Sequence, residues 1–429
     1  KKAISIKPDF ADAYNNMGNV FHNKNELEKA IGTYNKALSL KPDFADAYNS
    51  MGNAFHDQGK IDKAIEAYNK ALILKPGLTD SYNNIGLSLQ EQGKLKEAEE
   101  AFLKVLSLDP SNAKASFNLS LLYNLQGNLK VGLELYESRT KIEDVDVEPA
   151  RQEFTWDGLQ DLQGKNVLVY EEQGLGDVIQ FCRYLALLKE KGATVTFKVT
   201  SNLHQLLKSL DARISFTNIF PKKNQIDFEV PLMSLPYFFG TNLETIPMLG
   251  PYLYADKHRI KYWSEKFNRK GKNFKVGICW QGKEGKVDIG RSFPLSLFEN
   301  IAKLPNVELI SLQKGHGEDQ LADSSFPITT FGSNFDLGKG AFIDTAAIMM
   351  NCDLIITSDT AIAHLSGALG QPTWVALKYI PEWRWLMNRN DSPWYSTMSL
   401  YRQKKPGDWV EVFNRIEEDL YALTEEKGK

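Results

Sequence analysis

Ala13-Tyr14-Asn15-Asn16-Met17-Gly18-Asn19 returns 34 residues later as Ala47-Tyr48-Asn49-Ser50-Met51-Gly52-Asn53, and Ser81 to Leu87 and Ala115 to Leu121 keep the same step. A whole-number period of this length marks a stacked supersecondary unit that cannot bury its apolar face alone. The dipeptides Lys7-Pro8, Lys41-Pro42, Lys75-Pro76 and Asp109-Pro110 recur in register. Within each unit small and aromatic residues alternate at helical spacing: Ala30, Tyr34, Ala37, then Ala64, Tyr68, Ala71, then Ala98, Phe102, Val105. Small residues let two helices approach, and the aromatic fills the gap beside them. Gly59, Gly93 and Gly127, with Asn25 in the first unit, fall where a left-handed helix stop is expected between paired helices.

Period, small positions and proline together resemble the tetratricopeptide repeat over residues 1–140, about four units with the first one truncated. The resemblance implies helix pairs stacked into an all-α superhelix with a concave groove, whose default use is protein binding. Lys2-Ala3-Ile4-Ser5-Ile6-Lys7-Pro8 aligns with Lys36 to Pro42. The chain is therefore expected to open inside a second helix, as a piece of a longer protein. Asn16, Ser50, Asn84 and Asn118 share one repeat position. That series is similar to the asparagine ladder in the repeat array of O-GlcNAc transferase, which would make Asn16, Asn84 and Asn118 groove contacts to extended backbone. The alternative is a common inter-repeat polar position, and Ser50 interrupts the ladder.

Composition excludes several classes. The 429 residues are 24% charged and 42% hydrophobic, without an apolar run near the ~20 residues of a membrane span. The net charge of −3 gives no electrostatic reason to expect a nucleic-acid or anionic-membrane partner. Cys182, Cys279 and Cys352 lie far apart without CxxC pairing, which argues against a zinc site and against a disulfide framework. A reducing cytoplasm is the expected location, since the opening residues have neither an apolar signal segment nor a transit-peptide composition. The length predicts roughly three domains.

A polar stretch from Thr140 to Gln152 reads as a linker, placed at 141–160, after which the pattern changes. All eight Trp residues follow position 155. Val167 to Tyr170 is expected as a strand, then one helix through Val178, Phe181, Cys182, Leu185 and Leu188 to a stop near Gly192, then a strand from Thr194 to Val199. A second series comprises Lys275 to Trp280, Val307 to Leu312, Leu354 to Thr357 and Thr373 to Leu377. Strands alternating with helices predict right-handed βαβ units and parallel sheets. Two α/β domains, 161–265 and 266–429, thus follow the repeats, joined through Gly250 to Gly271. Asp408 with Glu411 predicts a capping box for a final helix with Trp409, Val412, Phe413, Ile416, Leu420 and Leu423 on its apolar stripe.

In open α/β sheets ligands bind beyond the carboxyl ends of the strands. Glu171-Glu172-Gln173-Gly174-Leu175-Gly176-Asp177 is a glycine-bearing turn into a helix, but Ile179 stands where a dinucleotide fingerprint needs its third glycine, so nicotinamide chemistry is not expected. Thr357-Ser358-Asp359-Thr360-Ala361-Ile362-Ala363-His364-Leu365 feeds a helix of small residues. The free amides of Thr360, Ala361 and Ile362, at the positive end of that helix, suit a diphosphate. Asp359 would repel phosphate, and more plausibly caps the helix or accepts from a sugar hydroxyl.

These segments, with Arg291-Ser292-Phe293-Pro294 and the SDTAIAHLSGALGQPTWVAL run from Ser358, resemble glycosyltransferase family 9, the heptosyltransferases, over roughly Lys165 to Gln403. The resemblance implies a GT-B fold of two Rossmann-like domains, acceptor on the first and nucleotide sugar on the second. It also implies inverting transfer to an acceptor hydroxyl with no metal and no cofactor. Carried over by position, Asp177 matches the aspartate proposed as general base, Arg291 a basic residue at the donor phosphates, and Asp359, Thr360, Ala361 and His364 the donor element. Ser358 and Ile362 flank that element, and Gly174, Gly176, Gln281 and Lys314 support the loops around it. Ala361 stands where the family usually has glycine, and the tail from Trp383 to Gln403 is unlike it. Repeats placed before such a domain look instead like the arrangement of O-GlcNAc transferase.

Plainer readings stand beside these. Asp177 could only cap its helix, with Glu172 a rival base. His364 could be a satisfied core histidine. Arg291 follows the polar loop Gly282 to Gly290, which favours function over packing. Trp383, Trp385 and Trp394 read as a structural aromatic cluster before a sugar platform, and Asp144-x-Asp146 as solvated linker charge before a metal motif. The sequence points to a glycosyltransferase using a nucleotide sugar, its repeats recruiting a protein or glycan acceptor. The alternatives are a non-catalytic repeat scaffold with a degenerate transferase domain, or a nucleotide-sugar epimerase of GT-B fold.

Overall fold

The computed structural model describes residues 9–142, 154–247, 250–267, 273–283, 290–332, 335–337 and 340–428. The Lys2 to Pro8 run, Asp144-x-Asp146, most of the 141–160 linker and part of the Gly282 to Gly290 loop lie outside the described residues. The chain divides into two compact units, Lys1–Tyr123 with Glu134–Glu143, and Asn124–Leu133 with Asp144–Lys429.

The first unit is all-helical. It stacks α1 (Ala11–Asn23), α2 (Leu27–Leu40), α3 (Ala45–Asp57), α4 (Ile61–Leu74), α5 (Thr79–Glu91) and α6 (Leu95–Leu108), with parts of α7 (Ala113–Leu125) and α8 (Leu129–Tyr136). Each pair closes on a left-handed residue, φ being 59° at Asn25, 71° at Gly59, 76° at Gly93 and 86° at Gly127. The small-residue spacing has a steric purpose. Gly18, Gly52 and Gly86 face the buried rings of Tyr34, Tyr68 and Phe102 so closely that a Cβ would overlap them. Two of those rings are satisfied at their polar tips: Tyr34 donates to Asn19 Oδ1 at 2.8 Å and Tyr68 to Asn53 Oδ1 at 2.9 Å.

The second unit contains two parallel sheets. The first has the order β3-β2-β1-β4, from β1 (Asn166–Tyr170), β2 (Thr194–Lys198), β3 (Ser215–Thr217) and β4 (Phe228–Pro231). The other has the order β6-β5-β7-β8-β9, from β5 (Phe274–Cys279), β6 (Val307–Ser311), β7 (Leu354–Ser358), β8 (Thr373–Leu377) and β9 (Met398–Arg402). The pairings between these strands are parallel, with Tyr170 opposite Lys198 and Pro231 and with Cys279 opposite Thr357. The strand order therefore reverses between β1 and β4 and between β5 and β7, the places where doubly wound sheets open a crevice.

The helix expected from Val178 to Gly192 is two: α9 (Leu175–Phe181) and α10 (Tyr184–Glu190). The break falls at Arg183, which turns inward and is fully buried, its Nε donating to the Gln180 carbonyl at 2.8 Å and its Nη1 to that of Trp394 at 2.9 Å. Further along lie α11 (Lys257–Lys266), α12 (Ile343–Met349), α13 (Ala361–Leu369) and α14 (Trp409–Gly428). Val412, Phe413, Ile416 and Leu420 of α14 are buried against Phe293 and Phe298. Asp408 caps α14 by accepting from Glu411 N at 3.2 Å. The return half of the expected capping box is not made, because the Glu411 carboxylate bonds Arg415 at 2.8 Å and Lys404 at 2.7 Å.

Candidate active site between two sheet ends

The loop leaving β1 is built by its own acids. Gly174 is the N-cap of α9, and its amide donates to Asp177 Oδ2 at 2.8 Å. Glu172 turns the other way, 3% exposed, and accepts from Met233 N at 2.9 Å just after β4. It braces the two loops at the crevice of the first sheet. A Cβ on Gly176 would lie 3.0 Å from His364 Cδ2 and 3.4 Å from Ala361 Cα, so α9 meets the first turn of α13 only because that side chain is missing. Asp177 Oδ1 then accepts from Arg384 Nη2, a residue on the β8–β9 connection. Asp177 both caps its helix and faces the second sheet.

At the end of β7, Thr360 is the N-cap of α13 and its hydroxyl accepts from Ile362 N at 3.3 Å. That takes up one of the three amides expected to be open. Among the described residues the amides of Thr360 and Ala361 have no acceptor. Asp359 precedes them. Burial raises its carboxyl above the usual range, against the indole N–H of Trp385 and the charges of Arg291, Arg384 and Lys378. These cations come from the ends of β5 and β8, so Arg291 and Asp177 bear on one cluster. Ser358 is fully buried, with no hydrogen-bond partner for its hydroxyl among the described residues.

His364 is buried. Its ring stacks on Trp385 with centroids 5.3 Å apart, and Nδ1 lies 3.1 Å from the Tyr395 hydroxyl. Burial, with Arg384 and Arg183 nearby, pushes its pKa well below the ordinary value, so the ring is neutral at pH 7. Trp383, Trp385 and Trp394 are buried as well, Trp394 lying 5.6 Å from Phe181 edge-on. They pack the seam between the sheets and offer no open platform to a sugar.

Gln281 holds its loop by donating its backbone N–H to Gln313 Oε1 at 3.1 Å and by accepting from Gln320 at 3.0 Å. Beyond it, Arg291 packs its guanidinium on Gly282, where a Cβ would lie 2.9 Å from Nη2. Lys314 donates to the Phe335 carbonyl. Next to it, at the end of β6, is a cavity of about 450 Å³ lined by Ser311, Gln313, Glu318, Phe326, Phe331 and Phe335 among others. Its wall is mixed, with three phenylalanines facing the polar side chains of Ser311, Gln313, Glu318, Ser324 and Thr330.

Arg384, Glu382 and Lys378 escaped the sequence reading. Glu382 accepts from Arg384 N at 2.9 Å and from its guanidinium. About a third of its side chain meets solvent, yet desolvation in the seam pushes its pKa up to about 7, helped by Asp359 and Asp177 and opposed by Arg384. The one signal in the sequence was an arginine between two tryptophans. In the repeats, Asn84 Nδ2 donates to Asn53 Oδ1 at 2.9 Å and to Asn49 Oδ1 at 3.3 Å, binding neighbouring repeats together. Asn16 is exposed and Asn118 half-buried.

Models of the TPR repeat match residues 18–59 and 52–93, and models of the tetratricopeptide repeat match 1–32 and 79–112. The first 112 residues therefore carry tetratricopeptide repeats. Protein FlbA of Caulobacter vibrioides is 25% identical over 286 residues, 61% of this chain and 47% of FlbA. The chain thus spans about half the length of the curated relative it matches. Among solved structures, MamA is 26% identical with a TM-score of 0.29, covering 34% of this chain and 85% of MamA. The second TPR domain of human RPAP3, solved with an HSP70 peptide, is 26% identical with a TM-score of 0.25, covering 26% and 93%.

Proposed function

We propose that the sheet unit is an inverting glycosyltransferase of GT-B architecture that takes a nucleotide-diphosphate sugar, and that the repeats recruit a protein acceptor or partner. The observation that carries the reading is the meeting of Asp177, from the β1 loop, with the cation cluster around the start of α13. Inversion needs a carboxylate on the acceptor side to remove a hydroxyl proton as the nucleophile attacks. It also needs fixed positive charge where the diphosphate leaves. Asp177 supplies the first; the Thr360 and Ala361 amides with Arg291 and Lys378 supply the second. A nucleoside seated in the cavity at the end of β6 would accord with this reading.

Titration calorimetry of the full chain with ADP, GDP, UDP and CDP, each with magnesium and with EDTA, tests this. One of them binds saturably and without magnesium, Arg291→Ala weakens it by about tenfold or more, and Asp177→Asn leaves it bound while abolishing turnover. Binding of none of the four removes the reading. A second reading has its own support, since both Asp177 oxygens are engaged, by Gly174 and by Arg384, as in a retired site. A non-catalytic repeat scaffold binds none of the four nucleotides.

A further inference from the structure

Asp177 is restrained twice. The bond from Gly174 N at 2.8 Å fixes Oδ2 but leaves the carboxylate free to pivot about that contact. Arg384 supplies the second point at Oδ1. The guanidinium that does so is itself confined. It is 5% exposed, its other end binds Glu382, and it lies 5.2 Å from the Phe181 ring centroid and 4.6 Å from that of Trp383. Phe181 is one turn beyond Asp177 on α9, so ring and carboxylate of the same helix grip one guanidinium. A side chain enclosed in this way is poorly suited to swing toward a donor phosphate.

We propose that Arg384 is a positioning residue that holds the Asp177 carboxylate in one orientation at the seam between the two sheets, acting through Asp177 and not on the donor. The proposal rests on the transferase reading for its kinetic consequence, and on geometry alone for its structural one. Around the Asp177–Arg384 pair stand Glu382 on the β8–β9 connection and Asp359 from the β7–α13 turn, with the neutral ring of His364 beside Gly176. Only Arg384 bonds the carboxylate from across the seam among the described residues. Lysine keeps the charge but lacks the fork that reaches Asp177 and Glu382 together.

The test uses the full chain as wild type, Arg384→Met and Arg384→Lys. Three readouts are needed: calorimetry with the four nucleoside diphosphates, release of nucleoside diphosphate from a nucleotide sugar of the best-binding base, and crystal structures. Arg384→Met is expected to bind the nucleotide within about twofold of wild type and to lose about tenfold or more in kcat at unchanged KM. Arg384→Lys is expected to recover part of kcat, and should the methionine variant not fold, the lysine variant shows the same pattern, weaker. A parallel loss of nucleotide affinity makes Arg384 a donor ligand and overturns the proposal, as does an unchanged kcat. If wild type binds none of the four nucleotides, the transferase reading falls separately, and the crystal structures decide. Asp177 displaced in the variant upholds the positioning role, and Asp177 unmoved overturns it.

Discussion

Glu382 shows how much a single side chain in this seam depends on its neighbours. Its ordinary pKa of 4.5 rises to about 7 through burial, with Asp359 and Asp177 adding to the effect and Arg384 opposing it. Between about 4.5 and 7 the folded chain keeps a proton that the unfolded chain has released, so this residue's contribution to stability is complete below that window and is lost as pH rises through it. Glu382→Gln is therefore expected to flatten the decline in melting temperature across the window relative to wild type. Identical slopes for the two proteins would remove Glu382 as the cause. Asp177 and Asp359 were legible in the sequence because each follows a recognisable strand end and opens a helix. Arg384 was not, because nothing local links it to a carboxylate 207 positions away. Trp383 and Trp385 read correctly as packing, yet the arginine between them is what ties that packing to the candidate base.

Within elements, the repeat's glycines separate two roles that composition alone merges. Gly52 lies against the Tyr68 ring, whereas Gly32 is exposed with nothing within 4 Å of a Cβ, and its repeat counterparts are Glu66 and Glu100. Gly52→Ala is expected to destabilise the repeats by about 1–3 kcal/mol through overpacking. Gly32→Ala is expected to stabilise them by about 0.5–1 kcal/mol, since a helix interior favours alanine. Urea unfolding of both variants checks the pair, and equal effects would mean that the ring moves aside. The strands show the same division between clear and faint signals. β1, β5, β7 and β8 are apolar runs buried on both faces, and the sequence reading found them. β3 has three residues and lies at an edge, β4 has four, and β9 at an edge of the second sheet mixes Met398, Leu400 and Tyr401 with Ser399 and Arg402, so none of them stood out. The break between α9 and α10 was invisible because its cause, the inward turn of Arg183 toward Trp394, is tertiary.

At the scale of the whole molecule, the 34-residue period runs unbroken through Gly127, yet the structure draws its line at Tyr123 and groups Asn124–Leu133 with the sheets. Periodicity reports local helix pairing, which continues there, but not which core a turn joins. In this case Met387 N donates to the Leu125 carbonyl at 3.1 Å, and Leu243 lies 3.3 Å from where a Cβ on Gly127 would be. A ligand should respect the same division. A repeat array is stabilised by nearest-neighbour contacts, whereas a nucleotide bound at the ends of β5, β7 and β8 adds its binding free energy to the sheet unit that holds it. At a concentration 100 times Kd that is about 2.7 kcal/mol. Hydrogen exchange of the full chain with the tightest-binding nucleoside diphosphate is therefore expected to slow at amides of β5, β7 and α13, foremost at Thr360 and Ala361, and to stay unchanged in α1 through α6. Protection that rises in the repeats and not at the start of α13 would place the nucleotide elsewhere and separate the cation cluster from the donor.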